Sequence, residues 1–208
     1  MLADEKRMAT VRADFQRMCW SALAVCVTAA IVLRLMGQPV WCKCGGWPPW
    51  SWDIWSSHNS QHWIDPYTFT HVLHGIILCG LLYWLPVSVP QRIRFLMAVV
   101  LESAWEILEN SPIVIERYRT VTISQEYFGD SVVNSVGDIA MCMLGYWIAF
   151  HWRTNRSLIF FAVSELILAI WIRDNLILNV VMLVFPSMQS SSGRWAAISV
   201  LLVCMRVP

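Results

Sequence analysis

Acids, histidines and amides stand inside four apolar stretches of this chain: His71 and His74; Glu102, Glu106 and Glu109; Asp130, Asn134 and Asp138; and Arg173, Asp174 and Asn175. Imidazoles and carboxylates at such spacing are the groups that hold a divalent metal or relay protons. Within an apolar segment they are costly enough to mark a functional site by default. Residues three, four and seven apart share one face of a helix. Glu102, Glu106 and Glu109 therefore form one acidic stripe, and Asp130, Asn134 and Asp138 form a second. His71 and His74 lie on a third, next to Gly75, where a neighbouring backbone can approach closely. Facing inward, the three stripes build one polar pocket in a bundle.

Several anions in a low dielectric repel one another, so some must be protonated, paired with a cation or bound to a metal. Arg117 and Arg173 are too few to balance the acids nearby. His-x-x-His with carboxylates from other helices supplies the N and O ligands that suit zinc, manganese or iron. We therefore expect His71, His74, Glu106 and Asp138 to bind a divalent metal, Glu102 or Glu109 to act as general base, and Arg173 to hold an anionic headgroup. His58, His62, Asp130, Asn134, Asp174 and Asn175 complete the expected pocket. The plainer reading is that polar residues near the ends of apolar helices reach the headgroups or glue helices together. Glu109, Asp130, Asp174 and Asn175 suit it, whereas Glu102, Glu106 and Asp138 lie deeper.

The elements that position these groups follow from composition. Hydrophobic residues make up 57% of the 208 and charged residues only 14%, against about 25% charged in soluble domains. Mean hydropathy is +0.53. The 13 tryptophans suit a membrane–water interface. A net charge of +1 provides no basic field for nucleic acid. The lipid bilayer is the partner to expect.

A helix needs about 20 residues to cross the hydrocarbon core, and the apolar runs place spans at about Cys19–Met36, Thr70–Val89, Ile93–Leu108, Ser131–Phe150 and from Ser157 to near Arg173. A short interfacial segment to Pro186 follows. The expected fold is thus an all-α polytopic membrane bundle of about five transmembrane helices, or four if the last segment is re-entrant. It divides into a cytoplasmic N-terminal segment (1–18), a single transmembrane helical domain (19–186), and a tail (187–208) that is poorly ordered or lies on the surface. Lys6, Arg7, Arg12 and Arg17, then Arg92 and Arg94, then Arg153 and Arg156 mark the cytoplasmic side, with the N-terminus inside. The first span reads as an anchor rather than a cleaved signal, because its apolar run is long and no small-x-small site follows. The polar sets all fall at the non-cytoplasmic ends of the spans, joined there by His58, His62, Asp65, Glu116 and Glu126 from the loops.

Smaller motifs carry less. Gly129-Asp130-Ser131-Val132 resembles the nucleophile block of GDS-type esterases, but the chain contains no Asp-x-x-His partner, and Asp130 and Ser131 suit a helix cap instead. His58-Asn59-Ser60-Gln61-His62 has the histidine spacing of His-Glu-x-x-His with asparagine in place of the glutamate base. Ser57 and Ser60 beside those histidines form a weak nucleophile–base pair. A disulfide between Cys42 and Cys44 would be strained, so they are expected as free thiols or paired elsewhere. Trp41 to Trp55 reads as an interfacial loop, and Cys19, Cys26, Cys79 and Cys142 as packing residues.

The segments Ser57–Tyr67, His71-Val72-Leu73-His74-Gly75 and Glu102–Asn110 resemble uncharacterised protein family 0314, a group of bacterial multi-pass inner-membrane proteins with a domain of unknown function. Tyr118-Arg119, Gly129–Asp138 and Arg173-Asp174-Asn175 extend the likeness over about residues 15–186. The resemblance implies a cell-membrane location and a shared fold and carries no activity; a looser likeness to VanZ-like membrane proteins is at fold level only. Two functions fit the residues: a metal-dependent membrane hydrolase or transferase acting on a lipid or envelope precursor, or a non-enzymatic protein that binds or moves an ion, proton or small anion.

Overall fold

The computed structural model describes residues 2–121 and 127–184. Glu126 and the tail expected at 187–208 lie outside the described residues. Within them there are seven α-helices and no strand: α1 Leu2–Leu35, α2 Thr68–Tyr83, α3 Gln91–Glu109, α4 Pro112–Val121, α5 Val132–His151, α6 Thr154–Trp171 and α7 Leu176–Val184. Met8–Leu35, Val132–His151 and Thr154–Trp171 are long and apolar enough to cross a membrane. The other two expected spans fall short of that measure. Helix α2 has only 16 residues, and α3 carries Arg92, Arg94, Glu102, Glu106 and Glu109.

Polarity is arranged inside out. Trp20, Leu23, Val27 and Ile31 of α1 and Leu158, Ile159, Ile167 and Ile170 of α6 are exposed. His71, Glu102, Glu106, Asn134, Asp138 and Glu165 are buried. A chain in water would bury the first set and solvate the second; exposed apolar helix faces around a polar interior are what a lipid solvent favours.

Helices α2 and α5 cross with their backbones touching. A Cβ on Gly75 would lie 2.0 Å from the Cys142 carbonyl oxygen, and one on Gly145 would lie 1.9 Å from that of Val72. Only glycine fits at either position, and the close approach expected at Gly75 is present. Ala22, Cys26 and Ala29 of α1 pack with Val99 of α3 and Ile139 of α5. Cys26 and Cys142 are packing residues, as expected, while Cys19 is exposed.

Helix boundaries follow local chemistry. Ser131 caps α5 by accepting from Asn134 N–H at 3.1 Å. Asp65 accepts from Tyr67 and Thr68 N–H at 2.8 and 3.0 Å and so opens α2. Helix α2 stops at Tyr83, six residues short of the expected Val89, because the chain there turns around Arg94. The buried guanidinium donates to the carbonyls of Leu82, Tyr83, Leu85 and Pro86 at 2.8–3.0 Å, and Nε donates to Val89 at 3.1 Å. Read from sequence as a loop charge, Arg94 is a buried staple. Arg92 does stay at the surface, 2.7 Å from Asp14 of α1.

Helix α4 lies in a stretch expected to be loop. Helix α7 occupies the segment expected after the fifth span, but it packs back onto the bundle: Arg117 of α4 donates to the Leu183 carbonyl at 2.9 and 3.2 Å.

Candidate metal centre

Helices α2, α3 and α5 bring five of the expected residues to one point at the end of the bundle that also carries residues 38–67. His71 Nδ1 lies 2.6 Å from Glu102 Oε1 and 3.2 Å from Glu106 Oε1, and its Nε2 lies 3.8 Å from Asp138 Oδ2. His74 Nδ1 lies 2.9 and 3.1 Å from the two oxygens of Glu102. Two sets of donor atoms fall within 4.8 Å of one another: His71, His74 and Glu102, and His71, Glu106 and Asp138. The i, i+3 and i, i+4 spacings put these side chains on the inward faces, and the glycine contact of α2 with α5 brings the faces together.

The acids of this cluster differ in how they are satisfied. Glu102 accepts from both imidazoles through their Nδ1 atoms. That places the proton of each neutral ring on Nδ1 and turns Nε2 into the free lone pair. A carboxylate behind histidine in this way orients metal ligands and sharpens their basicity. Glu102, expected from sequence as one of two candidate general bases, is engaged here by both imidazoles. Glu106 is 0% exposed and neither of its oxygens has a hydrogen-bond partner, and Oδ1 of Asp138 has none either. Buried polar atoms are nearly always paired, so the exceptions need a reason. Two such carboxylates side by side need protons or a cation.

A cavity of about 610 Å³, its open mouth included, reaches this cluster past His71, His74, Trp105, Glu109, Asp130 and Asp138. Tyr118, Tyr127 and Asn179 also line it, and nothing in their spacing announced that. Glu109 lines the cavity, half-buried.

The remaining expected residues lie outside the ligand cluster, Asp130 at the cavity wall. Asp130 accepts from Asn110 Nδ2 and the Tyr127 hydroxyl at 2.8 and 2.9 Å, while its own N–H donates to Asn110 Oδ1 at 2.6 Å. It latches the end of α3 to the start of α5, and burial pushes its carboxyl up to about 7. Asn110, fully enclosed, was not singled out by sequence. Asn134 donates to the His62 carbonyl at 2.8 Å.

Asp174 accepts from the Tyr67 hydroxyl and Asn179 Nδ2 at 3.2 and 3.1 Å, and burial lifts its carboxyl to about 7. Asn175 accepts from Leu178 N–H at 2.8 Å and caps α7. Arg173 is exposed, takes φ 56°, and lines a separate recess with Trp52, Asp53, Trp55 and Trp171; it does not reach the cavity. His58 and His62 lie with Cys42 and Cys44 in the loop. Ser131 is buried, caps α5 and donates to the Gln61 carbonyl at 3.0 Å, a hydroxyl engaged in structure rather than presented as a nucleophile.

These features define an all-helical protein with membrane-span-like helices packed around a buried histidine–carboxylate cluster. A family profile described as "Protein of unknown function (DUF2585)" matches residues 33–195. The chain is 44% identical over 166 residues to a UPF0314 protein of Rhizobium meliloti, which covers 80% of this chain and 84% of that one. It is 40% identical over 179 residues to a UPF0314 protein of Paracoccus denitrificans (86% and 92%) and 42% identical over 171 residues to one of Sphingopyxis alaskensis (79% and 88%). The chain belongs to this uncharacterised family. No solved structure matches it.

Proposed function

We propose that this is a multi-pass cell-membrane protein whose His71, Glu106 and Asp138 hold a divalent metal at the non-cytoplasmic leaflet, and that it is a hydrolase or transferase acting on a lipid or envelope precursor. The observation that carries the reading is the Glu106 carboxylate, fully enclosed with neither oxygen accepting a hydrogen bond, beside an Asp138 oxygen that accepts none either; the nearest nitrogen, His71 Nδ1 at 3.2 Å, lies closer to Glu102, at 2.6 Å. A zinc, manganese or iron ion would balance these charges and take the ligands offered. In this reading five segments cross, with α2 and α3 sheltered by α1, α5 and α6, and the N-terminus is cytoplasmic. Trp47, Trp50, Trp52, Trp55 and Trp63, all exposed, anchor the loop at the headgroups.

His74, oriented by Glu102, is a fourth ligand or a proton carrier at the cavity wall. A metal held there would supply a bound water of lowered pKa, a nucleophile near neutral pH, and Glu109, which lines the cavity, would accept the proton. Arg173, in its separate recess with Trp52 and Trp55, would hold an anionic headgroup outside the cavity.

A through-path for protons would need a free acid at mid-span. The candidate, Glu165, spends its carboxylate on the N–H groups of Leu176 and Ile177 at 3.0 Å each. That engagement supports a one-sided site over transport.

Metal analysis of the purified protein tests the reading. One equivalent of zinc, manganese or iron that is lost in both His71→Ala and Glu106→Gln, with altered envelope lipids in cells carrying those variants, is expected. Metal content unaffected by either change, together with unchanged lipids, overturns it. Proton uptake by proteoliposomes that vanishes in Glu102→Gln would favour transport instead.

A further inference from the structure

The loop over the cavity holds a second set of ligand-type side chains that the His71 centre does not use. One donor atom from each of Cys42, Cys44, His58 and His62 lies within 4.8 Å of all the others. Cys42 Sγ is 3.3 Å from His58 Nδ1, Cys44 Sγ is 4.0 Å from His62 Nε2, and the sulfurs are 2.8 Å apart. Sequence presented two separate pairs, 14 residues apart at their nearest members; the fold unites them.

The backbone is shaped around the sulfurs. Gly45 takes φ 70°, a left-handed turn that glycine adopts without strain. Cys44 N–H then donates to Cys42 Sγ at 3.4 Å, and Gly46 N–H donates to Cys44 Sγ at 3.2 Å. N–H groups aimed at sulfur stabilise thiolates, the form in which cysteine binds metal. Trp41 closes the turn, donating Nε1–H to the Gly46 carbonyl at 2.8 Å and packing edge-on against His62 with centroids 5.2 Å apart.

His62 is oriented in the same sense. Its Nδ1 meets the Pro48 carbonyl, which keeps the proton on Nδ1 and leaves Nε2, the atom facing Cys44, as a lone pair. A carbonyl behind the imidazole is the usual support of a metal-binding histidine. Cys42 and His62 are buried while Cys44 is exposed, which gives the cluster a floor and an entry.

We propose that Cys42, Cys44, His58 and His62 form a tetrahedral zinc site that clamps the loop over the cavity. Zinc bonds of about 2.3 Å to sulfur and about 2.0 Å to nitrogen hold S and N ligands about 3.5 Å apart and two sulfurs about 3.8 Å apart. The S–N separations of 3.3 and 4.0 Å bracket the first value. The sulfurs must part by about 1 Å, which rotation of the exposed Cys44 side chain supplies. Two thiolates and two imidazoles select zinc over magnesium or calcium.

The clamp ties residues 42–44 to 58–62. Asn59 and Ser60 line the cavity, and the His62 carbonyl is held by Asn134, so the ion would fix the roof of the His71 centre. The two centres are independent in their ligands. A Cys42–Cys44 disulfide is the competing state on an oxidising face.

Cobalt distinguishes the states. The full-length protein, purified in detergent with reductant and stripped by chelator, is titrated with Co²⁺. A thiolate-to-cobalt charge-transfer band with the intense visible bands of a tetrahedral ion is expected, displaced by Zn²⁺. Cys42→Ser and Cys44→Ser should each lose the charge-transfer band, His62→Cys should keep it, and Glu106→Gln should leave it unaltered, since the His71 centre has no sulfur. Absence of the band in the reduced wild-type protein overturns the proposal whatever the variants do. So does a band that survives in the Cys42→Ser, Cys44→Ser double variant, or a Cys42–Cys44 disulfide found by mass spectrometry in protein alkylated before extraction from membranes.

Discussion

Buried acids in this protein fall into two groups, and the contrast between them separates architecture from chemistry. Asp65, Asp130, Asp174 and Glu165 are enclosed, and each spends its carboxylate on donors around it. Asp65 accepts three backbone N–H groups, those of Ser60, Tyr67 and Thr68, at 2.8–3.0 Å. Glu106 and Asp138 are as deeply enclosed, yet between them three oxygens have no partner. The first group closes helix ends and latches loops to the bundle. The second accepts no hydrogen bond at those three oxygens from the described residues, so a cation or protons must neutralise it, as the proposed function supposes.

The largest effect that tests this contrast is at Glu106. Replacing it with glutamine should remove one equivalent of metal, the one that remains when Cys42 and Cys44 are also changed to serine, measured by elemental analysis, while leaving the thermal midpoint of the metal-free protein unchanged or higher, since a costly buried charge is removed. A lowered midpoint with metal retained would move Glu106 into the architectural group.

Asp65→Ala should do the opposite. It leaves three buried N–H groups without an acceptor and removes the cap of α2, a loss of about 2–4 kcal/mol in stability, read by denaturation in detergent. Metal stoichiometry of the folded fraction should stay at the wild-type value.

Glu102→Gln tests the intermediate case, an acid that is satisfied but by the histidines themselves. Loss of an orienting carboxylate typically weakens metal binding about 10–100-fold, so competition with a chelator should show a shift of that size rather than complete loss. Complete loss would make Glu102 a direct ligand.

The smallest effect is in pH dependence. Burial raises the carboxyls of Asp130 and Asp174 to about 7 in the folded protein, above the value near 4 of an unfolded chain. The folded state then holds more protons on these two groups than the unfolded one between those limits, so their contribution to stability is most favourable below about pH 4 and falls as pH rises towards about 7. Asp130→Asn should flatten part of that slope, measured as thermal midpoint against pH.

Much of the site was legible because helical periodicity is local. Spacings of three and four placed His71 with His74, and Glu102 with Glu106, before any tertiary contact was known, and Gly75 announced a close crossing. Other residues were misread for lack of a partner. Arg94 looked like a positive-side loop charge, and only the turn of the chain shows it gathering five carbonyls. Arg173 looked like part of the pocket because it adjoins Asp174 and Asn175. A left-handed backbone at φ 56° turns it outward into another recess. Asn110 and the tyrosines carried no periodic signal.

By itself the sequence determined an all-helical chain, the faces on which its acids and histidines lie, and its kinship with an uncharacterised family, because composition and short-range spacing act within a single helix. The tertiary structure decided which of those acids are spent and which are left bare, and which cysteines meet which histidines. Those outcomes depend on what a second helix or a distant loop brings within about 3 Å, hydrogen-bonding range, and no local pattern encodes that distance.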